Sequence, residues 1–202
     1  MYNSTNTNEA VMVGTVASNL EYSHCAGSDV YHSTIEVVRK SGVIDTIPFI
    51  VSEELKKLGF FMPGCRLCLK GQFRSYDERK QKKHKVFLLV SEAAVSLEED
   101  SNSISLEGYV CTKPYYKEVS GIPIAEFMLA NNQKCGKEFF LPCIAWYENA
   151  TMVKRFDVGD KVALYGRIQS RTYRKQTEEG AIYKKAIEVS TCSIRCQEKN
   201  QQ

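Results

Sequence analysis

The chain carries nearly the same pattern twice. Val13-Gly14-Thr15-Val16 recurs as Glu107-Gly108-Tyr109-Val110, Tyr22 is answered by Tyr116, and Ile47-Pro48 by Leu141-Pro142, at a constant offset of 94 residues (Gly14 to Gly108). One further residue of shift carries Pro63-Gly64 onto Val158-Gly159, and Lys70-Gly71-Gln72-Phe73-Arg74-Ser75 onto Tyr165-Gly166-Arg167-Ile168-Gln169-Ser170. Solenoid units repeat every 20–50 residues or so, so a period this long is that of whole domains.

A length of 202 residues permits one core or two, and the duplication decides for two. The expected boundaries are 9–95 for the first domain, 96–103 for a short acidic linker and 104–196 for the second. Hydrophobic content of 43% beside 25% charged residues argues against wholesale disorder. No run approaches the roughly 20 apolar residues of a membrane helix, and the N-terminus lacks the basic and apolar regions of a secretory signal. An intracellular, cytoplasmic protein with no membrane partner is expected. Most of the eight cysteines sit in apolar strand-like runs (Cys111, Cys143, Cys192), where a thiol acts as a small hydrophobe. Cys65-Arg66-Leu67-Cys68 has zinc-knuckle spacing, but no second pair completes the four ligands a structural zinc needs. No metal or other cofactor is expected.

In the second repeat, strands are expected at 104–112, 122–130 and 139–146, then a helix over 148–156 capped by Asn149 with an apolar stripe of Met152, Val153 and Phe156. Asp157-Val158-Gly159-Asp160 turns the chain into strands at 161–173 and 182–192. The first repeat follows suit, with strands at 10–22, 30–38, 44–51, 66–75 and 85–94 and a Ser52-capped helix at 52–58. Glycines inside the fourth strand (Gly71, Gly166) suit a tightly coiled sheet. The order β-β-β-α-β-β implies an all-β fold: two tandem OB-fold, five-stranded Greek-key barrels, each with a short helix between its third and fourth strands.

Net charge is only +3, but the basic residues are clustered. One run spans residues 74–85, including Arg74, Tyr76, Lys82 and Lys83. Its counterpart holds Arg171, Tyr173 and Arg174 and resumes at Tyr183, Lys184 and Lys185. Such a run is ordinarily a solvated loop. Recurrence at one position of both repeats points instead to basic hairpins with interleaved tyrosines, which supply phosphate contacts and stacking faces for single strands.

Four segments at consistent spacing then resemble the bacterial single-stranded-DNA-binding protein family. They are Gly121-Ile122-Pro123-Ile124-Ala125-Glu126-Phe127, Phe140-Leu141-Pro142-Cys143-Ile144-Ala145-Trp146, Val158-Gly159-Asp160 running on to Gly166-Arg167-Ile168-Gln169-Ser170-Arg171-Thr172-Tyr173, and Ile187-Glu188-Val189. The match covers the second repeat; the first resembles the family mainly through the second. The resemblance implies base stacking on Phe140, Trp146 and Tyr173, with Arg167, Arg171, Lys184 and Lys185 along the backbone path. Core packing is the competing reading for Phe140 and Trp146. In the first repeat Thr46 and Ser52 stand where the second has Phe140 and Trp146, leaving Arg74, Tyr76 and the 80–85 loop as its candidates.

The resemblance further implies roles in replication, recombination or repair and, by analogy with four-barrel assemblies, a homodimer. The family's acidic C-terminal recruitment tail is not matched, so recruitment through one is not expected. RNA stays open as a ligand, since stacking tolerates both sugars. His24, His32 and His84 share no motif with a nucleophile, so no enzyme is expected. A different class also stands: a protein–protein adaptor or primosome-type accessory, whose binding would depend little on salt.

Overall fold

The computed structural model describes residues 8–25, 29–78, 83–132, 137–177 and 180–197, with the side chains of 25 and 174–177 left outside the description. The first half runs β1 (Asn8–Val16), β2 (Glu21–Cys25), β3 (Asp29–Val38), β4 (Ile44–Ser52), α1 (Glu53–Lys56), β5 (Arg66–Glu78) and β6 (Lys83–Val95). The second runs β7 (Ser101–Val110), β8 (Tyr115–Val119), β9 (Ile122–Asn132), β10 (Glu138–Trp146), α2 (Tyr147–Val153), β11 (Lys161–Thr177) and β12 (Gly180–Cys196). Each half closes on itself: β1 pairs with both β3 and β5, and β4 meets β6 in parallel, while β7, β9, β11, β10 and β12 repeat the circuit. This is the expected all-β pair of OB barrels.

Each barrel has one strand more than expected. The segment read as a single strand over 10–22 breaks after Val16, and β8 was not foreseen at all. Both extra strands are short and pair only with the strand that follows, at the rim. Pro114 immediately precedes β8 and cannot donate to a ladder, which interrupts the run where the barrel corner lies. The second helix also begins a residue earlier and ends sooner than 148–156. Asn149 does not cap it: Trp146 holds the N-cap position with no side-chain cap bond, and the Asn149 amide donates to the Cys192 carbonyl at 3.0 Å. In α1 the expected Ser52 cap is present, its hydroxyl accepting from the Leu55 N–H.

The four interior strands of the hairpins alternate inward and outward. In β5 Leu67, Leu69 and Phe73 are fully buried, and in β11 Val162, Leu164 and Ile168 point the same way. Gly71 and Gly166 each sit opposite a register shift, where the partner strand carries one extra residue, Ser91 in β6 and Cys192 in β12, and the hairpin coils around the barrel. A Cβ at Gly71 would lie 2.1 Å from the Leu89 carbonyl oxygen, and at Gly166 2.2 Å from that of Ser190. Backbone cannot yield cheaply, so Gly71→Ala or Gly166→Ala is expected to destabilise by about 3 kcal/mol or more. Urea unfolding checks this.

The barrels join edge to edge. β1 pairs antiparallel with β7 from Asn8↔Leu106 to Val13↔Ser101, so residues 101–103, read as linker, lie in strand. The register is centred on Ala10↔Ile104, which are repeat equivalents; a local two-fold axis therefore passes between them. Side chains obey the same symmetry. Asn8 clamps the backbone N–H and C=O of Phe73 (3.0 and 2.7 Å), and Asn102 clamps those of Ile168 (3.0 and 2.6 Å). Each amide continues a ladder past the end of its pairing, satisfying buried backbone groups.

Cys143 is buried and Cys111 half-buried, as expected, and burial pushes both thiols up, Cys143 strongly. Cys192 is exposed, contrary to expectation, because it is the β12 residue left out of the register opposite Tyr165–Gly166 of β11. Among the described residues no helix is long and apolar enough to cross a membrane.

Candidate nucleic-acid interface

Strand alternation builds one row of the site. With Val162 to Ser170 facing inward at even positions, β11 sends Arg167, Gln169, Arg171 and Tyr173 outward. Their β12 partners are Ser190, Glu188, Ala186 and Lys184 respectively, and directly paired residues share a face. From Arg167 to Tyr173 this row extends about 20 Å at roughly 3.4 Å per residue.

The middle of the row is occupied by its own ion pairs. Glu188 is buried and accepts from Gln169 Nε2 (2.9 Å), Arg171 Nε (2.9 Å) and Arg171 Nη2 (3.1 Å). Arg171 also reaches Glu126 at 3.4 Å. Its hydrogen bonds to Glu188 raise the Arg171 pKa above the ordinary value, so this guanidinium is committed to two carboxylates. It also sits 5.6 Å from the Tyr173 ring centroid and positions that ring.

The hairpin ends build the second part. The Phe140 N–H donates to Ser75 Oγ at 3.0 Å, and its two-fold counterpart, the Thr46 N–H, donates to Ser170 Oγ at 3.1 Å. Thus β5 leans onto β10 of the second barrel and β11 onto β4 of the first. His84 adds a further tie, with Nε2 2.8 Å from the Phe140 carbonyl oxygen and Nδ1 2.8 Å from Asp77 Oδ1. Between the hairpins lies a groove of about 980 Å³ with Pro48, Phe49, Ile50 and Pro142 among its lining. One hairpin contributes Tyr76, Lys83 and Lys85; the other contributes Tyr173, Lys184 and Lys185.

The structure therefore brings together five of the sequence candidates, Tyr76, Lys83, Tyr173, Lys184 and Lys185, from both repeats. Tyr76 is 47% and Tyr173 37% exposed, so both rings present an open face. Lys85 is held by Glu78 at 2.7 Å, whereas no ion pair among the described residues engages Lys184 or Lys185. Trp146, Arg167 and Arg171 line a second hollow of about 550 Å³ farther along the row. Trp146 is half-buried there. Phe140 is 37% exposed and lies at the barrel contact rather than in the core. Arg74 stands apart, its guanidinium bonded to Gln72 and 5.2 Å from the Phe139 ring. Lys82 lies outside the described residues, and of Arg174 only the backbone, in β11, is described.

Three groove residues escaped the sequence reading. Tyr22 and His32 line it from β2 and β3, and His84 sits in its basic hairpin. In the sequence Tyr22 stands out only as the repeat partner of Tyr116, and the two histidines belong to no motif. Nothing local signals a groove made by two distant hairpins.

Comparison with known proteins follows the same division of the chain. Residues 101–195 match the model of the single-strand binding protein family. No curated protein matches the chain. Among solved structures, the wild-type single-stranded DNA binding protein from Thermus aquaticus superposes with a TM-score of 0.75 over 96% of this chain and 95% of that one, at 15% identity. A deletion mutant of the Thermus aquaticus protein gives 0.71 over 96% of each chain at 15% identity. At this identity the likeness is one of fold. The dimeric N-terminal domain of PriB from Thermoanaerobacter tencongensis is 30% identical over 45% of this chain and 98% of its own, with a TM-score of 0.41.

Proposed function

Since its second barrel belongs to the single-strand binding protein family, we propose that the chain binds single-stranded DNA without strong sequence preference and without catalysis. One observation carries the reading: two basic, tyrosine-bearing hairpins from different barrels share a single groove. The strand runs along that groove, stacking on Tyr173 and Tyr76, and continues down the outer row of β11 towards Trp146. Every base has a π-face, so stacking needs no particular base, while Lys184, Lys185 and Lys83 neutralise phosphates. Arg171 organises the row through Glu188 and Tyr173 rather than meeting phosphate itself. The first barrel takes part through Tyr76 and the β6 lysines. The processes served are replication, recombination or repair, in the cytoplasm, with the chain as a homodimer of four barrels.

The test is a titration with a thymine oligonucleotide at several salt concentrations, with duplex DNA as control. Salt-sensitive binding of the single strand and not of the duplex supports the reading; salt-insensitive or absent binding sinks it in favour of a protein-docking role. Each phosphate neutralised on a single strand adds about 0.7 to the slope of log K against log salt. Replacing Lys184 and Lys185 together by alanine is therefore expected to flatten that slope by about 1.4. An unchanged slope removes both lysines from the path.

A further inference from the structure

We propose that the first barrel carries a base-stacking platform of its own, Phe87 with Tyr76, at the position where the second barrel has the Arg171–Glu188 ion pair. Its ligand follows from the single-strand reading, but Phe87 and its place on the first barrel lie outside the family match over residues 101–195. Strand register fixes the correspondence between the barrels. In the first hairpin Arg74 pairs with Phe87 and Tyr76 with Lys85; in the second Gln169 pairs with Glu188 and Arg171 with Ala186. Phe87 therefore stands where Glu188 stands, and Tyr76 where Arg171 stands. The neighbouring strands repeat the exchange: His32 pairs with Ile50 as Glu126 pairs with Ile144, so His32 takes the place of Glu126.

These exchanges turn one surface from ionic to aromatic. On the second barrel Glu126 and Glu188 hold Arg171 at 3.4 and 2.9 Å, and the three charges satisfy one another. On the first barrel both carboxylates are gone from those positions. Tyr76 and Phe87 meet there instead, ring centroids 5.8 Å apart and planes at 61°. Leu88 and Val90 take the inward positions of β6, so Phe87 and Lys85 point outward, on the same face as Tyr76. All three line the groove. Lys85 lies 6.0 Å from the Tyr76 ring centroid and is held by Glu78, while His32 meets Glu21 at 3.5 Å.

An edge-on pair of rings leaves aromatic face uncovered, which a parallel stack would not. Tyr76 is 47% exposed and Phe87 half-buried, with Pro48 beside them on the same wall. Phenylalanine has no hydrogen-bonding group, so an outward Phe87 in a basic hairpin offers only an apolar, flat contact. A base supplies the matching face, and stacking on it needs no particular base. The pair also answers a deficit. The first barrel has Thr46 and Ser52 where the second has Phe140 and Trp146 on β10, and it carries its rings on the adjoining β6 and β5 instead. The groove then has stacking faces on both walls, Tyr76 and Phe87 on one and Tyr173 on the other, and a strand lying in it meets both barrels.

The experiment moves the chain's single tryptophan onto this platform: Phe87→Trp in a Trp146→Phe background, titrated with a labelled thymine oligonucleotide of about 30 nucleotides, long enough for two barrels. Stacking should quench the new indole saturably, in step with the anisotropy of the label. Phe87→Leu in the otherwise unaltered chain keeps an apolar side chain and removes the ring. It should weaken binding about 5-fold to 150-fold and leave the slope of log K against log salt unchanged, because no phosphate contact is lost. A Phe87→Leu chain that binds like the parent, or a Phe87→Trp indole left unquenched by a bound strand, overturns the platform and leaves the single-strand reading to Tyr173 and its lysines. A loss that comes with a flattened salt slope means that Phe87 only places Lys85, and overturns stacking. A parent chain that binds no single strand removes the single-strand reading and the platform together.

Discussion

Trp146→Ala combined with Tyr173→Ala is expected to weaken binding of a labelled thymine oligonucleotide by about 30-fold to 10⁴-fold. The figure follows from roughly 1–3 kcal/mol for each base stacked on an aromatic ring, two rings, and 1.4 kcal/mol per decade. Both side chains lie on the outer side of the second barrel, at opposite ends of the β11 row, so they meet different bases of one strand. Fluorescence anisotropy reads the loss without needing the tryptophan. Tyr173 is partly exposed and its removal should leave the unfolding midpoint nearly unchanged. Trp146 is half-buried, so its variant must be checked for stability before its affinity is interpreted. A fully folded double variant that binds like the parent would place the strand elsewhere on the molecule. Phe140 offers a contrast: its backbone holds Ser75 and His84, so Phe140→Ala tests the ring while leaving that contact in place.

The second large effect is structural. Asp45→Ala is expected to cost about 3–5 kcal/mol, as when one partner of a buried ion pair is removed and the other is left uncompensated. Asp45 is 1% exposed and accepts from Arg39 twice and from the Ser170 N–H of the other barrel. Truncation therefore orphans a guanidinium and a backbone donor together. Asp45→Asn keeps an acceptor for one of them and should lose less. Urea unfolding measures both, and a change below about 1 kcal/mol for Asp45→Ala would mean that the β1–β7 pairing and the Thr46–Ser170 bond hold the barrels together without it.

Much of the architecture was legible because each signal was local. Gly71 and Gly166 announced bulges, Ser52 announced a helix start, and alternating apolar residues marked β3, β4, β5 and β11. Where two local rules competed, the sequence reading failed. Asn149 is a good cap residue, but the chain turns at Trp146, and the asparagine serves Cys192 instead. β8 was missed because Tyr115–Val119 is short and mixes charged with aromatic residues behind a proline, and it exists only by pairing with β9.

The candidate site divides in the same way. Tyr76, Lys83, Tyr173, Lys184 and Lys185 could be named from composition and spacing, since basic residues between tyrosines are visible in one dimension. That Arg171 is spent on Glu188 and Glu126 could not, because strand register and burial set those partners, at separations of 17 and 45 residues.

By itself the sequence determined two barrels, the order of the five main strands in each and the chemical character of the hairpins, all of which follow from periodicity within a repeat. Tertiary structure alone decided that the hairpins cross to opposite barrels, share one groove and enclose Trp146 with Arg39. Those contacts join residues 65 to 125 positions apart through a two-fold pairing of β1 with β7. Symmetry between the halves, not any local propensity, brings them together.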